Sequence, residues 1–273
     1  MANKFQTVMG FLKSLRNMGL LDPIYRLAAM STQIPFFGEL LHPWFRDYNL
    51  NMTVVPVNVR LPVPQSTPLP MALLEYLITE ASFRFIFYRC PCREMFECEN
   101  YPRDIGCIFL GRDARRIDRT WGREASAAEC LAHAERAVSL GLVPMFGKFR
   151  VDNIGLGIPD RKRLISVCFC CECCCLFRYT PLFAPQIRER IRKLEGVRVR
   201  VNGECSSCGE CLDVCAMGAI SLENGVAEID ERLCKGCGRC AAVCPTGAID
   251  VVIEGAVAKE EILAKLRGVA DIR

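Results

Sequence analysis

The feature that most limits this chain is a repeat near its C-terminal end. CSSCGECLDVCAMGAI at 205–220 is followed by CKGCGRCAAVCPTGAI at 234–249. Each copy is C-x2-C-x2-C-x3-C with a Gly-Ala-Ile tail. Three thiols come from a tight loop in which every third residue points inward, and the fourth comes from farther along. The chain has 19 cysteines and only 2 histidines. Disulfide scaffolds are usually short, secreted and even in cysteine count. This chain has 273 residues and an odd count, and its start, MANKFQTVMGFLKSLRNMGLL, has neither an apolar core nor a small-residue cleavage site. The expectation is reduced, cytoplasmic thiols, most of them bound to metal.

The repeat resembles the bacterial-type two-cluster ferredoxin, over about Arg200 to Val252. The resemblance implies two 4Fe–4S clusters with crossed ligation. Cys205, Cys208, Cys211 and Cys244 would hold one cluster, and Cys234, Cys237, Cys240 and Cys215 the other. A cubane needs four thiolates on roughly tetrahedral vectors, and Gly209, Gly236 and Gly238 would let backbone N–H groups approach the sulfurs. One departure concerns the proline after the fourth cysteine: Pro245 keeps it, and Ala216 replaces it in the first copy. Paired C-x2-C units also serve zinc, but zinc needs neither the third step nor the paired Gly-Ala-Ile tails.

Eleven cysteines lie outside this module. Cys130 sits alone in a helical pattern and reads as a small buried hydrophobe. Cys90, Cys92, Cys98 and Cys107 form one group, in CPCREMFECENYPRDIGC. Cys168, Cys170, Cys171, Cys173, Cys174 and Cys175 form the other, in CFCCECCC. Unpaired thiols oxidise when exposed, and neighbouring thiolates repel, so something electropositive should hold ten of them together. The first group has the number that one cluster needs. If the second is extended, Cys168, Cys170 and Cys174 face one way and Cys171, Cys173 and Cys175 the other. One or two further iron–sulfur clusters are expected here. A zinc or mixed-metal site and a metal-free redox dithiol remain open. This part resembles predicted iron–sulfur proteins that combine C-x-C-R, a later cysteine-rich run and a terminal dicluster ferredoxin. Arg89, Arg93, Arg103, Arg112, Arg115 and Arg116 surround the first group; they would offset cluster charge, dock an acidic partner, or simply face solvent.

The rest of the chain reads as an α+β fold, 51% hydrophobic and 24% charged. A cysteine-rich domain of mixed helices and short strands is expected over 1–195, a small pseudo-symmetric ferredoxin-type domain over 196–254 and a helix over 255–273. Phe5, Val8, Met9, Leu12 and Leu15 mark one face of an N-terminal helix. Thr67 and Pro68 open a second helix, FRFIFYRC reads as a buried strand, and Ser126 with Glu129 forms a capping box. APQIRERIRKLEG reads as a connecting helix. His42 and His133 read as ordinary histidines.

No run is long enough to span a membrane, and a net charge of +4 argues for no nucleic acid. There is no G-x-G-x-x-G after a strand and no phosphate loop. The expected function is transfer of single low-potential electrons to a redox partner protein, within a larger complex or homo-oligomer. The alternative is a reductase whose N-terminal centre does the chemistry, fed by the ferredoxin. No catalytic residue is singled out.

Overall fold

The computed structural model describes residues 4–41, 45–46, 48–57, 69–160, 162–253 and 270–273. It opens with α1 (Lys4–Asn17), α2 (Leu21–Ser31) and α3 (Pro35–Leu41). Next come β1 (Leu50–Val54), α4 (Leu69–Glu80), β2 (Arg84–Phe87), α5 (Pro91–Met95), β3 (Ile108–Leu110), β4 (Gly122–Glu124), α6 (Ala127–Ser139) and β5 (Val143–Phe149). The chain continues through α7 (Arg150–Leu156), β6 (Ile165–Cys170), α8 (Pro185–Arg188) and β7 (Ile191–Lys193). It ends its regular structure with β8 (Val197–Val201), α9 (Glu210–Asp213), β9 (Ile220–Glu223), β10 (Val226–Ile229), α10 (Arg239–Val243) and β11 (Ile249–Ile253).

The fold is α+β. Seven strands form one sheet in the order β4-β2-β3-β6-β5-β1-β7. All its pairs are antiparallel except β1 with β7. This large sheet is not apparent in the sequence, because several of its strands are only three to five residues long. The helix α6 packs across β2, β5 and β6, with α4 beside it. Cys130, Ala134 and Ala137 of α6 and Leu73, Leu74, Leu77 and Ile78 of α4 are buried there. Each such leucine stabilises the fold by about 1.5–3 kcal/mol relative to an exposed position. The capping box forms: the Glu129 N–H donates to Ser126 Oγ at 3.2 Å, and the Ser126 N–H donates to Glu129 Oε2 at 2.8 Å.

Two expectations need correction. APQIRERIRKLEG is not one helix. Only Pro185–Arg188 is helical, and Ile191–Lys193 becomes a strand parallel to β1. Burial of Ile191 and Leu194 is the gain, and the Met52 N–H donates to Arg190 O at 3.0 Å. In α1, Met9 is buried with Leu12 and Leu15 packed around it, but Val8 is exposed. The side chain of Phe5, together with Thr67 and Pro68, lies outside the described residues.

Two small two-stranded sheets, β8 with β11 and β9 with β10, accompany the cysteine repeat. Most of the expected C-terminal helix lies outside the described residues. Ala270–Arg273 have no helical structure. There Ile272 O accepts the Ser82 N–H at 2.8 Å, and the Asp271 N–H donates to Lys162 O at 2.7 Å. Among the described residues no helix is long and apolar enough to cross a membrane.

Candidate metal centres

The repeat brings its eight cysteines together in crossed sets. Cys205, Cys208, Cys211 and Cys244 line one cavity. Cys215, Cys234, Cys237 and Cys240 line another. Each set has backbone N–H groups aimed at sulfur: Ala227 at Cys205 (3.5 Å) and Ala248 at Cys244 (3.2 Å) in the first, Ala219 at Cys215 (3.3 Å) and Gly236 at Cys234 (3.4 Å) in the second. Such donors stabilise charge on the sulfurs of a thiolate cluster, so the residues present fit two 4Fe–4S groups. Burial pushes the Cys237 thiol up to about 11, and burial together with neighbouring Cys237, Cys234 and Cys215 pushes Cys240 up to about 12. A bound cation would be needed to hold both as thiolates. The two sets differ in exposure, since Cys208 is exposed and Cys240 is buried.

The ten N-terminal cysteines also divide in two, though not as sequence order suggests. The strand β6 carries Cys168 and Cys170 on one face, while Phe169 on the other packs its ring 5.5 Å from that of His133. Six sulfurs follow one another in space in the order Cys168, Cys107, Cys90, Cys92, Cys175, Cys170. Cys90 accepts hydrogen bonds from Cys107 and Cys92, which hold its thiol well below the ordinary value. Hydrogen bonding and burial push Cys92 and Cys107 well above it. The Cys170 and Cys175 sulfurs lie 3.0 Å apart.

The other four, Cys98, Cys171, Cys173 and Cys174, have all their sulfurs within 4.8 Å of one another. Cys98 and Cys173 are 3.7 Å apart. Against the penalty of burial, hydrogen bonds from Cys174, the Tyr101 N–H and Cys173 pull the Cys98 thiol below its ordinary value. Burial, then the bond to Cys98, pushes Cys174 up to about 12. The expected alternation separates Cys171 and Cys173 from Cys168 and Cys170 correctly and fails at Cys174 and Cys175. The strand ends at Cys170, and a turn at 172–174 reverses the facing, so Cys174 joins Cys171 and Cys173 while Cys175 returns to Cys168 and Cys170. The first sequence group is split as well, because Cys98 leaves Cys90, Cys92 and Cys107.

Two buried arginines tie these sites together. Arg93 is 1% exposed and donates to Pro102 O, Phe169 O and Ile105 O. Its charge lies close to Cys90, Cys171, Cys107 and Cys170. Of the expected arginines, Arg93 is the one buried among both groups. Arg103 donates to Cys98 O at 3.1 Å. Arg89 pairs with Glu94 at the surface, and Arg112, Arg115 and Arg116 are exposed. Arg239, beside Cys240, is the residue that sequence reasoning missed. It donates to Cys170 O at 2.6 Å, lies 3.3 Å from Tyr101 Oη and forms an ion pair with Glu172. A signal was present: aligning the repeats sets Arg239 opposite Glu210, a reversal of charge. The cavity lined by Cys215, Cys234, Cys237 and Cys240 is also lined by Cys170, Cys171 and Cys175.

Cys130 and His133 stand outside both groups. Cys130 is wholly buried on α6, and burial pushes its thiol up to about 12. The His133 ring lies 2.8 Å from Gly106 O, and burial lowers its pKa. His42 lies outside the described residues.

Residues 204–248 match the family model of the 4Fe-4S dicluster domain. No curated protein matches the chain. The C-terminal segment is thus an iron–sulfur, ferredoxin-like electron-transfer module within a cysteine-rich chain that binds metal.

Proposed function

We propose that the chain relays single low-potential electrons from an external donor, through two 4Fe–4S clusters at 196–254, to an iron–sulfur centre in the cysteine-rich domain at 1–195, and on to a redox partner protein. The clusters would supply one-electron chemistry at their irons. The chain's own part is to hold the thiolates, bring backbone N–H groups to the sulfurs and exclude water. One observation carries the reading: Cys215, Cys234, Cys237 and Cys240 share an apolar cavity with Cys170, Cys171 and Cys175, and Arg239 spans the gap. Electron entry at the Cys205, Cys208, Cys211 and Cys244 end is supported by the exposure of Cys208. Work inside a larger complex or homo-oligomer is supported by apolar side chains left exposed on α1 to α3, among them Phe11, Leu27, Phe36 and Leu40.

The test is rapid reduction of the full chain by a viologen, followed by freeze-quenched paramagnetic resonance. In Cys237→Ser the N-terminal centre should fill at least tenfold more slowly than in the parent, with the Cys205 cluster unaffected. Equal rates would remove the relay. A second reading, a reductase whose N-terminal centre does the chemistry, is favoured by the Cys170–Cys175 pair. The group of six holds two thiols more than a cubane needs, and these two are 3.0 Å apart.

A further inference from the structure

The ten N-terminal cysteines do not form two sites of the same kind. A tetrahedral ion with metal–sulfur bonds of about 2.3 Å sets its thiolates about 3.8 Å apart. Cys98 and Cys173 are 3.7 Å apart, and with Cys171 and Cys174 all four sulfurs lie within 4.8 Å. A cubane places each thiolate on its own iron, pointing outward, so its thiolates stand farther apart than those sharing one ion. The molecule provides its own comparison. Among the described residues, no other group of three or more cysteine, histidine, aspartate or glutamate ligand atoms is this compact. Both four-cysteine sets of the repeat are more open, and so is the group of six. Only the Cys98 group has the size of a single ion.

We propose that Cys98, Cys171, Cys173 and Cys174 bind one tetrahedral metal ion, Zn2+ or Fe2+, rather than an iron–sulfur cluster. Four thiolates and a divalent ion carry a net charge of −2, and the surroundings oppose it. Arg103 and Arg178 donate to the carbonyls of Cys98 and Cys173, fixing two ligands from behind while bringing positive charge near. Arg93 donates to Phe169 O, two residues before Cys171. The ligand Cys98 follows Glu97, whose φ of 49° is a costly left-handed geometry for a non-glycine residue. That turn swings Cys98 away from Cys92 and Cys90 and toward the 171–174 turn. The site needs only reduced thiols, so it stands or falls apart from the relay proposed above. Zinc would make it a structural pin for the cysteine-rich turn, and iron would make it a one-electron centre.

The test counts atoms in the full chain, purified without oxygen. Cys98→Ser and Cys174→Ser should each lose about one metal atom per chain and no acid-labile sulfide, because a single thiolate-bound ion contains none. The element that falls identifies zinc or iron. Loss of about four irons with about four sulfides would overturn the proposal in favour of a cubane, and so would loss of no metal at all. Should both variants fail to fold, the parent chain decides the matter. Its iron plus zinc should exceed its labile sulfide by about one atom per chain, since cubanes contribute the two equally. A balance of zero would refute the site.

Discussion

Arg239 and Glu172 form an ion pair with side chains only 9% and 19% exposed, between the second cysteine repeat and the turn that follows β6. The carboxylate also accepts from Tyr101 Oη at 3.1 Å. A pair this buried is costly to break from one side, because the surviving charge has no replacement for water. Arg239→Met should therefore destabilise the chain by about 3–5 kcal/mol. Arg239→Met with Glu172→Met should recover most of that loss. Denaturant titrations of the two single variants and the double variant form the cycle. Additive losses would show that the pair does not hold the two segments together.

The crossed ligand sets make a second expectation. Cys215→Ser should cost iron from the cluster of Cys234, Cys237 and Cys240, not from its sequence neighbours Cys205, Cys208 and Cys211. The complementary variant Cys244→Ser should do the reverse. Each should remove about four irons, and paramagnetic resonance should show the other cluster intact. Loss confined to the sequence-adjacent set would mean that the cysteines pair within each copy.

Gly209 and Gly238 occupy the same place in the two copies, with φ of 81° and 80°. Their surroundings differ. Nothing lies within 4 Å of where a Cβ on Gly209 would stand, whereas a Cβ on Gly238 would overlap Val57 O. That close approach accompanies the bond from the Val57 N–H to Cys237 O, 2.9 Å. Gly209→Ala should cost about 1 kcal/mol, the left-handed penalty alone. Gly238→Ala should cost clearly more and should slow electron passage to the N-terminal centre. Equal thermal shifts for the two would show that contact with Val57 is unimportant.

Asp152 gives a pH dependence. Burial, opposed by the Ser166 hydroxyl and by Lys148, raises its carboxyl to about 6 from an ordinary 3.8. The folded chain then holds a proton that the unfolded chain has released between these values. Stability from this group is complete below about pH 4, falls as pH rises to about 6 and stays low above. The loss is at most about 3 kcal/mol, and less because the side chain is partly exposed. Asp152→Asn should flatten the slope, read as the difference in melting temperature between pH 5 and pH 7.5. An unchanged slope would assign it to another group.

What the sequence revealed depended on how local the cause was. The helix α6 was legible because Ser126 and Glu129 are local signals. The repeat was legible because cluster geometry fixes its spacing within sixteen residues. The strand β7 was hidden, since Ile191–Lys193 becomes a strand only by lying beside Met52–Val54, far away in sequence. The division of the ten cysteines was half legible. Alternation placed Cys168 and Cys170 correctly, but no local rule announced the turn at 172–174 that exchanges the expected places of Cys174 and Cys175. The role of Arg239 is not written locally, because its partners Cys170, Glu172 and Tyr101 come from another part of the chain.

The run from Cys168 to Cys175 passes from the group of six to the group of four and back within eight residues. Cys170 and Cys171, joined by one peptide bond, belong to different groups, as do Cys174 and Cys175. This spacing leaves no slack for length variation. One residue inserted between Cys171 and Cys174 would displace ligands of the smaller group and carry Cys175 away from Cys170. Both groups would be spoiled by a single codon that removes no cysteine. The length of the segment is as much a part of the site as the sulfurs are.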